Sequence, residues 1–105
     1  MVSNVIQMRI TPAAAKKRIA EAAKDSAKVI FTRHANERSD QRCITRKQVI
    51  HCLIHGRFTE APCWDQIHGG YKFTMQTVDS GERVNVAAAL YKNDKGDYVV
   101  VITVF

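Results

Sequence analysis

The hydrophobic rhythm of the chain changes near residue 57. Up to Gly56 apolar residues recur every three or four positions, the helical period, and after Phe58 they alternate with polar ones, the strand period. Thr11-Pro12 reads as an N-cap followed by proline at the first helical position, and the alanine-rich run Ala13 to Ala27 has high helix propensity. Its apolar stripe of Ala15, Ile19, Ala22 and Ala23 is thin and predicts light packing. Lys28 to Phe31 is a β-branched and aromatic run, read as a short strand leading into a second helix capped by Thr32. Thr45-Arg46-Lys47-Gln48 fits a capping box for a third helix, with Val49, Ile50, Leu53 and Ile54 as its apolar face and Gly56 as its end.

Beyond a short Phe58 segment, Tyr71, Phe73, Met75 and Thr77 alternate with Lys72, Thr74, Gln76 and Val78, predicting a strand. Turn clusters at Asp79-Ser80-Gly81-Glu82 and Asn93-Asp94-Lys95-Gly96 set off two more, Arg83 to Tyr91 and Tyr98 to Phe105. The last is apolar on both faces, which predicts an interior strand beside the two preceding it or beside the Phe58 segment. The expected fold is α+β, with N-terminal helices packed on a four- to five-stranded, mainly antiparallel sheet. Residues 1–27 read as a basic helical segment and residues 28–105 as the α+β domain.

At 105 residues the chain holds one domain with a single core. Sixteen Lys and Arg against ten Asp and Glu give a net charge of +6, unevenly spread. Residues 1–57 carry 12 basic and 4 acidic side chains, and residues 58–105 carry 4 and 6, so the helical part is the cationic part. Such polarity suits a nucleic acid, an anionic membrane surface or an acidic protein. The three cysteines, Cys43, Cys52 and Cys63, lack C-x-x-C spacing and point away from a disulfide framework and a zinc ribbon. With no leader-like apolar run and no span of roughly 18 apolar residues, the expectation is a cytoplasmic protein without a membrane segment.

On the second helix His34, Arg38 and Arg42 recur every fourth residue. At about 100° per residue they fan over about 80°, so one proton-transfer group and two permanent cations can converge on a single anion. Arginine's planar fork matches phosphate oxygens, and cleavage of RNA without a metal needs proton transfer plus charge stabilisation. The competing reading is a solvated helix face, with His34 packed on the sheet and the arginines paired to Glu37 or Asp40.

From about Val29 to Phe105 the chain resembles a family of small bacterial domains of uncharacterised function, built as a strand, then His-Ala-x-x-Arg-x-x-x-Arg, then a capped helix. His34, Ala35, Arg38 and Arg42 carry the motif, followed by Ile44-Thr45, Leu53, Gly56, Gly70-Tyr71 and Val101-Ile102-Thr103-Val104. Cys43 departs from it, since a small flexible residue is commoner there. The family is similar to the barnase-like, colicin-like and RelE-like group, many of whose members are metal-independent ribonucleases and toxins with a cognate antitoxin. The resemblance implies an endoribonuclease, or a descendant that binds nucleic acid or an acidic protein without cutting. RNA and an antitoxin or acidic protein are the expected partners, and no cofactor is expected.

In that reading His34 is acid or base and Arg38 and Arg42 bind phosphate. Tyr71 and Thr103 are the candidates for a second proton-transfer or phosphate-orienting group, although either also suits a core or sheet position. His68, beside Gly69-Gly70, is a mobile loop candidate. Lys16, Lys17 and Arg18, with Arg33, Arg46 and Lys47, extend a phosphate-tracking surface, or simply solvate their helices. His51 and His55 stand at i, i+4, but without a third ligand of defined spacing they predict no metal site. Cys63-Trp64 reads as a buried anchor in a loop.

Overall fold

The computed structural model describes residues 9–105, so the first eight residues of the basic N-terminal segment lie outside the described residues. The order of elements is α1 (Pro12–Ala23), a 3-10 turn (Ser26–Lys28), β1 (Val29–Phe31), α2 (Arg33–Arg42), α3 (Arg46–His55), β2 (Arg57–Asp65), β3 (Gly70–Asp79), β4 (Glu82–Asn93) and β5 (Gly96–Val104). The strands form one five-stranded sheet in the order β1-β5-β4-β3-β2. Only the β1–β5 pairing is parallel. The fold is therefore α+β, with the helices packed on a mainly antiparallel sheet.

The expected caps form. Thr11, Thr32 and Thr45 each accept a hydrogen bond from a backbone N–H in the first turn of their helix, and Gln48 closes the capping box of α3. The alanine-rich helix stops at Ala23, because Asp25 caps the separate 3-10 turn that follows. Gly56 ends α3 in extended conformation, and its lack of a side chain serves close packing. A Cβ there would lie 2.5 Å from the Cys52 carbonyl and 2.9 Å from that of Gln76.

The Phe58 segment is longer than its pattern suggested, a nine-residue edge strand whose pairing with β3 slips twice. Those slips break the alternation that would have revealed it, and Pro62 is tolerated because the strand lies at the sheet edge. Cys63 and Trp64 consequently lie in β2 and not in a loop. Cys63 is exposed, and Trp64 packs edge-on against Tyr71 with ring centroids 5.0 Å apart.

Registers divide the sheet into two faces. Tyr71, Leu90 and Val99 are paired in one row, Phe73, Ala88 and Val101 in the next, and Met75, Val86 and Val104 in a third, all buried. Helices α1 and α3 cover this face, α1 sealing Ala15, Ile19, Ala22 and Ala23 into the same core as Val49 and Leu53 of α3. The thin stripe is thus fully used, since alanine lets the helix axes approach closely. Burying Ile19 and Leu53 stabilises the fold by roughly 1.5–3 kcal/mol each. The other face carries Ile30, Tyr98, Val100, Tyr91, Ala87, Lys72 and Thr74 and, among the described residues, has no helix on it, the buried apolar residues of all three helices joining the core of the first face.

As expected β5 is interior, but one neighbour is the three-residue β1. Its outer face is only half covered, which the all-apolar sequence did not reveal.

Arg18 ties α1 to β5 through two hydrogen bonds to Asp97, at 2.8 and 3.0 Å. This bond, more than the accompanying charge, holds the Asp97 carboxyl below its ordinary value of 3.8. The folded carboxylate is therefore favoured, and its contribution is present above about pH 4 and lost as pH falls through the lower folded value. Asp97→Asn should cost about 1 kcal/mol at pH 7, discounted for partial exposure, with the gap to wild type shrinking below about pH 4 in denaturant titrations.

Cys43 follows α2 at φ 55°, in the left-handed region that penalises a side chain. Cys43→Gly should stabilise by about 1 kcal/mol and raise the thermal midpoint by roughly 4–8 °C, read by calorimetry.

Candidate nucleic-acid interface

Helix α2 is positioned by one threonine. The Thr32 hydroxyl accepts from the Ala35 N–H and donates to the Ile102 carbonyl, while the Thr32 N–H donates to the Val101 carbonyl. The first turn of α2 thus starts against the end of β5, one residue from Thr103. From there α2 packs chiefly on β5, burying Ala35 and Ser39.

The buried centre of the helix separates two flanks. On one, Asn36, Asp40 and Cys43 join Phe31, Ile44 and Arg46 around a depression of about 420 Å³ that opens toward the start of α3. The opposite flank carries the stripe, with His34 and Arg42 exposed and Arg38 half-buried and donating to Gln41 at 3.0 Å. It turns away from the depression at the start of α3.

Thr103 stands on the helix-free face of the sheet, paired with Ala87, which is paired in turn with Thr74. The Thr74 hydroxyl donates to Glu60 on β2, and Glu60, Lys72, Thr74 and Ile102 border a concavity of about 380 Å³ across the sheet. Thr32 thus sets the start of α2, which carries His34, beside the segment of β5 that leads into Thr103.

Tyr71 is not among them. Its register with Leu90 puts it on the helix-covered face, 9% exposed, beside Trp64 and two strands removed from β5. Sequence alternation placed Tyr71 with Phe73 correctly, and burial of one implied burial of the other.

The basic surface residues divide. Arg18 is committed to Asp97, and Arg46 donates to the carbonyls of Val29 at 2.8 Å and Ser26 at 3.2 Å while its guanidinium lies 4.5 Å from the Phe31 ring centroid. Arg33 is exposed and paired with Glu37 at 3.3 Å. Lys16, Lys17 and Lys47 are exposed, free to meet a polyanion.

His68 is bonded to a carboxylate. Its Nδ1–H donates to Asp65 at 2.6 Å, and this bond, with the Ile67 N–H and Lys72, pushes the Asp65 carboxyl down to about 2. His51 and His55 are exposed with ring centroids 4.7 Å apart, and Cys52 between them is buried, its thiol pushed up to about 12 by desolvation. Among the described residues no group of three metal-ligating side chains assembles. Nor is any helix among them long and apolar enough to cross a membrane.

These features describe a small α+β domain with a cationic, histidine-bearing helix flank beside an open sheet face. Residues 31–105 match the family described as Domain of unknown function (DUF4258), and the chain belongs to that family. No curated protein and no solved structure matches the chain.

Because Arg46 ties α3 to the turn before β1, Arg46→Ala should lower stability by roughly 1–2 kcal/mol, whereas Lys47→Ala should change it by less than about 0.5 kcal/mol, both read from urea midpoints.

Proposed function

We propose that the domain is a metal-independent endoribonuclease of the toxin type, akin to the RelE-like and barnase-like group and acting in the cytoplasm. The supporting observation is the α2 flank of exposed His34 and Arg42 with half-buried Arg38, on a helix whose capping Thr32 bonds to β5 next to Thr103. In the proposed step the RNA 2′-oxygen attacks its neighbouring phosphorus and the bond to the 5′-oxygen breaks. The 2′-hydroxyl proton leaves to a base, the 5′-oxygen gains one from an acid, and a 2′,3′-cyclic phosphate remains. His34 performs one of these transfers, the role to which imidazole is suited near neutral pH. Arg38 and Arg42 offset the charge of the crowded phosphorane, assisted by the positive end of α2, and the Thr103 hydroxyl holds a phosphate oxygen. An acidic antitoxin would block the enzyme by covering the same cations.

One observation favours a second reading, a binding module that does not cut. With Tyr71 on the covered face, the phenol is not available to the flank as a second acid or base.

Single-stranded RNA incubated in EDTA separates the two. Wild type should cut RNA and spare the 2′-deoxy strand, His34→Ala should slow cutting about 10²–10⁴-fold with its fold intact by circular dichroism, and Arg38→Ala with Arg42→Ala should weaken binding. Wild-type protein that binds RNA in a salt-dependent way yet leaves it whole establishes the binding module.

A further inference from the structure

Resting on the reading of the α2 flank as an RNA-backbone site, we propose that a second pocket on the helix-free face takes one base of the same strand with its phosphate. The pocket has a volume of about 540 Å³ and lies at the opposite end of β5 from Thr103, between the 3-10 turn, β1 and the β4–β5 turn. Tyr98 forms an aromatic wall. It is cross-strand partner to Tyr91, and the two rings stack at 5.5 Å with an interplanar angle of 22°. Tyr91 in turn lies over Gly70, where a Cβ would come within 2.5 Å of its ring. The Tyr98 ring is therefore buttressed through a layered support reaching β3.

Ile30 provides an apolar side of the pocket, 49% exposed on the edge strand. An aromatic wall and an aliphatic side chain bordering one cavity suit a flat, unsaturated ring. Lys28 and Lys95 line the same pocket, and among the described residues neither ammonium group is held by a hydrogen bond or an ion pair within 4 Å, although the Lys28 charge acts on Asp97. Of the two lining carboxylates, Asp97 is neutralised by Arg18, and Asp25 accepts the Ala27 N–H of its own turn. Counting Arg18 with the two lysines against Asp25 and Asp97 leaves a net charge of +1, which favours an anionic occupant over a neutral one.

Connection to the first site comes from strand geometry. Tyr98 and Thr103 both point to the helix-free face of β5, five residues apart, or about 17 Å at roughly 3.3 Å per residue. A single strand can bridge that distance, with one phosphate at α2 and a base against Tyr98. Stacking recognises any base face, so the pocket confers affinity for single strands and not for a sequence.

The test is fluorescence anisotropy of a labelled single-stranded RNA and of an abasic strand of equal length and charge, at low salt. Tyr98→Ala should weaken base-bearing RNA about tenfold and leave the abasic strand unchanged, while Tyr98→Phe, which keeps the stacking ring, should bind as wild type. Lys28→Ala with Lys95→Ala should weaken both strands. The pocket is overturned if Tyr98→Ala, folded by circular dichroism, binds both strands as wild type does, or if wild type binds no RNA. Arg38→Ala with Arg42→Ala reports on the α2 flank separately. Unchanged binding there with a Tyr98→Ala loss removes the flank and keeps the pocket, and the reverse pattern removes the pocket and keeps the flank.

Discussion

Four hydrogen bonds of Thr32, two within α2 and two to β5, fix where the cationic helix starts. One side chain caps α2 and grips β5, so the direction in which α2 leaves the sheet is set by a strand near the opposite end of the chain. The parallel β1–β5 pairing, three residues long, brings Thr32 to the Val101 and Ile102 carbonyls. Without that clamp His34, Arg38 and Arg42 would still share a helical stripe, but the start of α2 would lose its tie to β5.

Charge is sorted by this architecture. Guanidinium groups able to reach inward are spent on the fold, Arg18 against Asp97 and Arg46 against two carbonyls and the Phe31 ring. Their planar forks suit such fixed multidentate contacts, while ammonium groups on flexible stems remain hydrated at the surface. A count of basic residues therefore overstates the surface available to a polyanion. The residue types best suited to phosphate are also the ones the fold recruits first.

The two faces of the sheet follow different rules. Small and branched residues on the inner face admit α1 and α3, whereas the outer face, left without a helix, keeps a stacked tyrosine pair, an exposed isoleucine and threonines. An open antiparallel face of this kind leaves aromatic side chains available to a ligand without disturbing the core. Tyr98 and Ile30 line a pocket at its β1 edge.

Local chemistry was legible in the residues themselves. The three threonine caps, the boundary at Gly56, the turn clusters and the alternation of β3 are decided by contacts within a few residues, and all form as read. So did the sharing of one stripe by His34, Arg38 and Arg42, which helical periodicity alone dictates. The length of β2 was hidden because its pairing slips twice and its pattern slips with it. The insertion of β5 between β1 and β4, the assignment of Tyr71 to the face opposite Thr103, the commitment of Arg18 and Arg46, and the meeting of Tyr98 with Lys28 all depend on partners far away in the chain. Those were decided only in three dimensions, since a side chain's period tells which neighbours it sides with, and strand pairing tells which distant groups it meets.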